Sequence, residues 1–237
     1  SDKNLEEVFV TENHADLHPP SKNGGYNMDT NYLHMGHFDP DWKDSVLLDG
    51  CFVPRWMAEK DNSIVQLIPY VICCTKDTKI LTYNRKGGGE GRLEGKKSLG
   101  IGGHINKEDL SFENNYLNWD FVIQGAIREL KEELTLDYSD EKISEKLTEL
   151  GIVYTPLDGV DDAVERKNIT IPSVGSVHLG IIYMLEVPSD ITIRDNEGMI
   201  NPEFVRISET SKDIDQYETW SRMILETLTD MKKSNNK

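Results

Sequence analysis

The sequence predicts an α+β fold, a mixed sheet with helices on both faces, preceded by an N-terminal extension. Three observations predict it. Apolar runs of strand character, 64–74 and 174–187, flank a central helical stretch. That stretch, roughly 121–135, carries Ile123, Ala126, Ile127, Leu130 and Leu134 at helical spacing. A second stripe, Tyr217, Trp220, Ile224, Leu228 and Met231, closes the chain as an amphipathic helix. At ~150 residues per domain, 237 residues make between one and two domains. The division read here is an arm or small subdomain over 1–44 and one domain over 45–237.

Taken in order, residues 1–44 hold nine acids against three lysines, with breaks at Pro19-Pro20 and Gly24-Gly25. Leu5, Val8 and Phe9 fit one short helical face. Ile64 to Cys74 is a buried strand, bent or edged at Pro69, and Lys79 to Asn84 is a second strand. Arg85 to Lys97 has five glycines and a net charge of +3, the basic segment of an acidic chain. Ser98 to Ile105 follows, then an irregular polar and aromatic stretch to 119. Asn118 or Asp120 can cap the central helix. Strands are expected at Leu150–Tyr154, around His178–Leu185 and at Phe204–Ile207, with an acidic loop over 156–172.

The net charge is −16. Such a surface repels a phosphate backbone, so neither a nucleic-acid polymer nor an anionic membrane is an expected partner. A small anionic substrate then needs a local basic patch or a metal. Cys51, Cys73 and Cys74 are too few for a disulfide scaffold and read as residues of a reducing compartment. The longest apolar stretch is about half a membrane span. The sequence opens without a basic-then-apolar signal. A soluble, cytoplasmic protein is expected.

Chemistry concentrates at 125–134. On a helix, Glu129, Glu132 and Glu133 fall within an arc of roughly 100°, beside the apolar stripe. Like charges three and four residues apart repel, and their heads are close enough to share a cation. Oxygen ligands suit Mg²⁺ or Mn²⁺. The same spacing also describes a plain solvated acidic face.

Arg-Glu-Leu-Lys-Glu-Glu-Leu-Thr-Leu, 128–136, resembles the core of the Nudix box, Arg-Glu-U-x-Glu-Glu-x-Gly-U with U apolar. Gly102-Gly103-His104-Ile105 resembles the turn that opens the box, and Ala126 fits as well. The sequence is thus similar to the MutT-like Nudix hydrolases over roughly 60–230. Gly-Ile-Gly-Gly-His-Ile-Asn and Gln66-Leu-Ile-Pro-Tyr resemble the subgroup of bacterial and phage members described as predicted phosphoesterases. The family box places a glutamate six residues after its glycine and eight before its arginine. Here the residue eight before Arg128 is Asp120, which stands 17 positions after Gly103, an insertion of 11 residues placed at about 106–119. The late glycine of the box is Thr135, which implies a different exit from the helix.

The resemblance implies a Nudix α/β/α sandwich and hydrolysis of a nucleoside diphosphate derivative by a Mg²⁺- or Mn²⁺-dependent pyrophosphatase. It assigns metal binding to Glu129, Glu132, Glu133 and the carbonyl of Gly103. Glu129 and Arg128 would be catalytic, with Arg128 bracing the loop through an ion pair with an acid such as Asp120. A diphosphate repels hydroxide. Metals offset that charge, activate water and steady the leaving phosphate. The general base is open: Glu165, Asp161, Asp162 and Glu197 are candidates, as is Glu129. Lys97, His104 and Arg85 are candidates for substrate binding. A small nucleotide substrate and a homodimer are the expected partners. The alternative is a catalytically weak Nudix-fold sensor that binds a nucleotide, suggested by Asp120, Thr135 and the insertion. A third reading is an interaction protein whose acidic helix is only surface.

Other signals are weaker. Gly95-Lys96 is not a phosphate-binding loop, because Lys97 and Glu90 stand where that motif needs Ser or Thr and Gly. His34-x-x-His37 has metal-like spacing but no matching second pair. His178 reads as a hydrogen-bonded core histidine. Tyr116 and Trp119 can stack on a base or pack the insertion down.

Overall fold

Residues 5–19, 28–86, 95–110, 117–158, 165–166, 169–170, 172–194 and 198–235 are described by the computed structural model, the side chains of 165–166, 169–170 and 235 excepted. In chain order the elements are β1 (Glu7–Glu12), β2 (Tyr32–Met35), α1 (Pro40–Leu48), β3 (Gly50–Pro54), α2 (Arg55–Ala58) and β4 (Ile64–Cys74). Then come β5 (Lys79–Arg85), β6 (Lys97–Ser98), β7 (Gly100–Gly102), α3 (Asp120–Glu133), α4 (Asp140–Lys146) and β8 (Thr148–Tyr154). The last are β9 (Glu165–Arg166), β10 (Ile169–Thr170), β11 (His178–Glu186), β12 (Met199–Arg206) and α5 (Thr219–Asn235). The order is α+β, as expected. No described helix is long and apolar enough to cross a membrane.

The chain divides into two units. The first comprises Ser1–Pro69, Gly103–Arg128 and Glu149–Ile182, and the second Tyr70–Gly102, Glu129–Thr148 and Tyr183–Lys237.

In the first unit β1 pairs antiparallel with β3 on one side (Phe9 opposite Phe52) and with β4 on the other (Val10 opposite Gln66). The helical face expected from Leu5, Val8 and Phe9 is therefore corrected to a strand. Its reason is burial on both faces. Val8 and Val10 pack with Ala58, Val53 and Ile64, while Phe9 meets Phe52 and Phe121 with ring centroids 5.5 and 4.7 Å apart. Residues 8–11 are all buried, so the alternation that marks a half-exposed strand is missing. β2 pairs with β8, Tyr32 opposite Tyr154. Gly151, at φ +157°, lets the backbone of His34 pass where a Cβ would lie 2.1 Å from its carbonyl oxygen. α1 begins at Pro40 behind Asp39, whose carboxylate accepts from the N–H groups of Asp41 and Trp42.

In the second unit β5 lies between β12 and the end of β4, with β6 on β5 and β7 on β4, all antiparallel. Cys73 is fully buried there, and burial pushes its thiol up to about 12, which leaves it inert as a nucleophile. α5 is capped by Glu218, which accepts from the N–H groups of Trp220 (2.9 Å) and Ser221 (3.0 Å). The same carboxylate accepts from the Tyr70 hydroxyl at 2.7 Å, and Tyr70 stands edge-on to Trp220.

That anchoring fixes Tyr70 over Gly100, where a Cβ would fall 2.0 Å from the ring. The ring cannot retreat without giving up the Glu218 bond. Gly100→Ala is expected to cost about 1–3 kcal/mol, read as a lower urea midpoint at unchanged m-value.

Candidate active site

Helix α3 starts where the Asn118 side chain accepts from the N–H of Asp120 at 3.0 Å. It buries Phe121, Val122, Ala126, Ile127 and Leu130 along one stripe. That fixes the rotation of the helix and so the direction of its glutamates.

In the first unit, Arg128 grips Asp109 with two contacts, Nε to Oδ1 at 2.8 Å and a terminal nitrogen to Oδ2 at 3.2 Å. The same guanidinium donates to the carbonyl oxygen of His104 at 2.8 Å. The Asp109 side chain is 2% exposed and also accepts from the N–H of Asn106. Arg128 therefore braces the turn after Gly103, as the resemblance implied, but through Asp109 and not Asp120. Asp109 is the sixth residue after Gly103, the family spacing for its early acid. The inserted residues thus follow that acid instead of preceding it. Gly125 makes the approach possible, since a Cβ there would lie 3.2 Å from Asp109 Oδ2.

The second unit holds the carboxylates. Glu129 and Glu133 are partly buried and Glu132 is exposed, all within the last turn and a half of α3. Glu133 Oε2 is buried with no hydrogen-bond partner among the described residues. Burial, then the neighbouring Glu132 charge, raise its carboxyl above the usual range, and Arg85 pulls the other way. A cation shared with its neighbours would satisfy that oxygen, and an oxygen-only donor set suits Mg²⁺ or Mn²⁺. The residues present fit the ion.

This shift has a sign that can be checked. A folded pKa above the unfolded one gives stability that is full below the ordinary carboxylate range and lost as pH rises through the folded value. In metal-free protein, Glu133→Gln is therefore expected to be more stable than the native sequence at about pH 8. The gain should shrink toward about pH 5, as compared by urea midpoints with chelator present.

Beyond Glu133 the helix does not leave through a left-handed glycine. The N–H and Nε of Arg194 donate to the carbonyls of Glu133 (2.8 Å) and Leu134 (3.1 Å), and Thr135 N–H donates to the carbonyl of Thr192. Thr135 at the glycine position is accommodated by this pairing.

Arg85 lies in the same unit as the carboxylates, and its Nε is buried without a hydrogen-bond partner among the described residues. Lys97 is engaged by Asp213 at 2.6 Å and Glu203 at 3.5 Å. His104 belongs to the first unit. Burial, then the charges of Arg55, His178 and Arg128, hold it neutral, well below the usual imidazole range. Asp161, Asp162 and Glu197 lie outside the described residues, as does Tyr116. Glu165 is on β9, which pairs with β10, but its side chain is outside the description. Trp119 packs against Phe38 and Trp42, which is the loop-packing role. His34 and His37 join no metal-like group among the described residues; the group that does form is Glu59, His104 and His178.

No protein-family model matches the chain. Protein YmaB of Bacillus subtilis is 33% identical over 178 residues, covering 73% of this chain and 76% of YmaB. The solved structure of Tm1382, described as a candidate Nudix hydrolase, superposes with a TM-score of 0.64 at 19% identity, covering 95% of this chain and all of that one.

Proposed function

The chain belongs to the same family as protein YmaB of Bacillus subtilis and has the fold of the Nudix hydrolases, and on that premise we propose that it is a divalent-metal-dependent pyrophosphohydrolase. It cleaves a diphosphate linkage in a nucleoside diphosphate derivative. The observation that carries this reading is the end of α3, whose last turn and a half carries Glu129, Glu132 and Glu133 and where one buried oxygen of Glu133 has no partner among the described residues. These three residues would hold Mg²⁺ or Mn²⁺. When bound, such a cation offsets the diphosphate charge and acidifies the attacking water.

The chain's own residues do the rest. Arg85 is suited to a phosphate oxygen, because its Nε has no partner among the described residues and its charge already acts on Glu133. Lys97 reaches a phosphate only by leaving Asp213, so it ranks behind Arg85. Glu129 can take the proton of the attacking water; Glu165, Asp161 and Glu197 stay candidates for that role. Arg128 acts as a positioning residue through Asp109. A chain at −16 makes a cation necessary before any polyphosphate settles beside three glutamates.

The test is phosphate-release turnover on dinucleoside polyphosphates, ADP-ribose, NAD, nucleotide sugars and nucleoside triphosphates, with Mg²⁺, Mn²⁺ or chelator. Cleavage that appears with metal and disappears with chelator is expected. Silence across the panel overturns the hydrolase reading, and tight binding without turnover selects a nucleotide sensor instead.

A further inference from the structure

A second constellation lies entirely within the first unit. Glu59 follows α2, His104 sits in the turn after Gly103, and His178 opens β11. One ligand atom from each falls within 4.8 Å of the other two, the one such group among the described residues. His178 Nε2 is 3.6 Å from Glu59 Oε1, and His104 Nε2 is 3.9 Å from the same oxygen. Both distances are too long for a hydrogen bond. The imidazoles stand edge to face, centroids 5.5 Å apart.

The orientation of the rings favours a cation between them. His178 Nδ1 lies 2.7 Å from the carbonyl oxygen of Val174. A carbonyl only accepts, so Nδ1 donates to it, and Nε2 is the ring nitrogen turned toward Glu59. This is the second-sphere bond that commonly aims a metal-binding histidine. His104 Nε2 is buried with no hydrogen-bond partner among the described residues. The same Glu59 oxygen that faces the two imidazoles also meets Arg55 Nε, at 3.4 Å. The two guanidiniums nearby are already matched by acids, Arg55 with Glu6 at 3.6 Å and Arg128 with Asp109 at 2.8 Å.

We propose that Glu59, His104 and His178 form a site for a transition-metal dication of the Zn²⁺ class. Bond lengths near 2.0–2.1 Å put the ligand atoms of a tetrahedral ion about 3.4 Å apart. The two glutamate–histidine pairs, at 3.6 and 3.9 Å, stand within a few tenths of an ångström of that spacing, and the two histidine nitrogens lie within 4.8 Å of each other. Two imidazole nitrogens and one carboxylate select Zn²⁺ over Mg²⁺, the reverse of the all-oxygen set on α3. Three protein ligands leave a fourth position for water or an incoming oxygen. The inference stands whether or not the chain hydrolyses a diphosphate.

The experiment uses the whole chain, stripped of metal and titrated with Zn²⁺ against a chromogenic chelator in excess Mg²⁺. Co²⁺ is added in a parallel arm. One Zn²⁺ per chain is expected, together with the intense visible absorption of four-coordinate Co²⁺. Glu59→Gln keeps the shape of a partly exposed side chain and should weaken Zn²⁺ at least ~10-fold, whereas Glu132→Gln should leave Zn²⁺ affinity unchanged. No Zn²⁺ uptake in Mg²⁺, or uptake that Glu59→Gln leaves intact, overturns the proposal. If Glu59→Gln fails to fold, the wild-type Co²⁺ spectrum decides alone: absence of those bands sinks the site.

Discussion

Glu132→Gln is expected to lower metal-dependent turnover by about 10³-fold while leaving the fold intact. Metal stabilisation of developing phosphate charge is worth several kcal/mol, and each 1.36 kcal/mol is about a factor of ten in rate. The substitution removes one anionic ligand and changes almost nothing in shape. Glu132 is exposed, so its stability effect should stay within about 0.5 kcal/mol. Relief of repulsion with Glu133 pushes any change upward. Turnover and Mn²⁺ calorimetry on the same preparation separate the readings. Lost turnover with weakened Mn²⁺ is the expected pair of results. Unchanged Mn²⁺ affinity would mean that the acidic face is only surface.

The second large effect concerns the brace. Asp109→Ala is expected to cost about 3–5 kcal/mol, because it strips Arg128 of a bidentate partner and leaves the N–H of Asn106 without its acceptor. For a chain of this size that lowers the melting temperature by on the order of 10 °C. Much of the cost comes from removing the buried acid that Arg128 grips, so Asp109→Leu combined with Arg128→Met should recover part of it. Thermal unfolding of the two single variants and the double one measures the coupling. A midpoint loss below about 1 kcal/mol for Asp109→Ala would show that the pair does not hold the turn.

What could be read in advance follows from how each signal is written. α3, α5, β4 and β11 are long and strongly periodic or strongly apolar, and they occur where periodicity puts them. β1 was hidden because neighbours cover both its faces, and a continuous buried run looks the same for a short helix and a short strand. The three glutamates of α3 were legible because helical spacing alone puts them on one face. Asp109 was obscured by counting back from Arg128 across the inserted residues; counting forward from Gly103 finds it. Glu59 carried no local signal at all. It reads as a surface acid until the fold brings α2, the Gly103 turn and β11 to one place.

The end of α3 has a consequence in the field of the helix itself. Aligned peptide dipoles leave a partial negative charge at a helix C-terminus, equivalent to roughly half an electron. The three glutamates occupy that end, where anions are least welcome, and the Arg194 guanidinium bonded to the Leu134 carbonyl offsets only part of the excess. On the proposed reading, the metal-free chain carries an electrostatic load at this end that a bound dication would relieve. Ligand capture and folding stability are then one quantity seen from two sides: at a hundred times the dissociation constant, the ion adds about 2.7 kcal/mol to the native state. With the proposed ion, such a helix would work as a capacitor, charged by folding and discharged when the ion arrives.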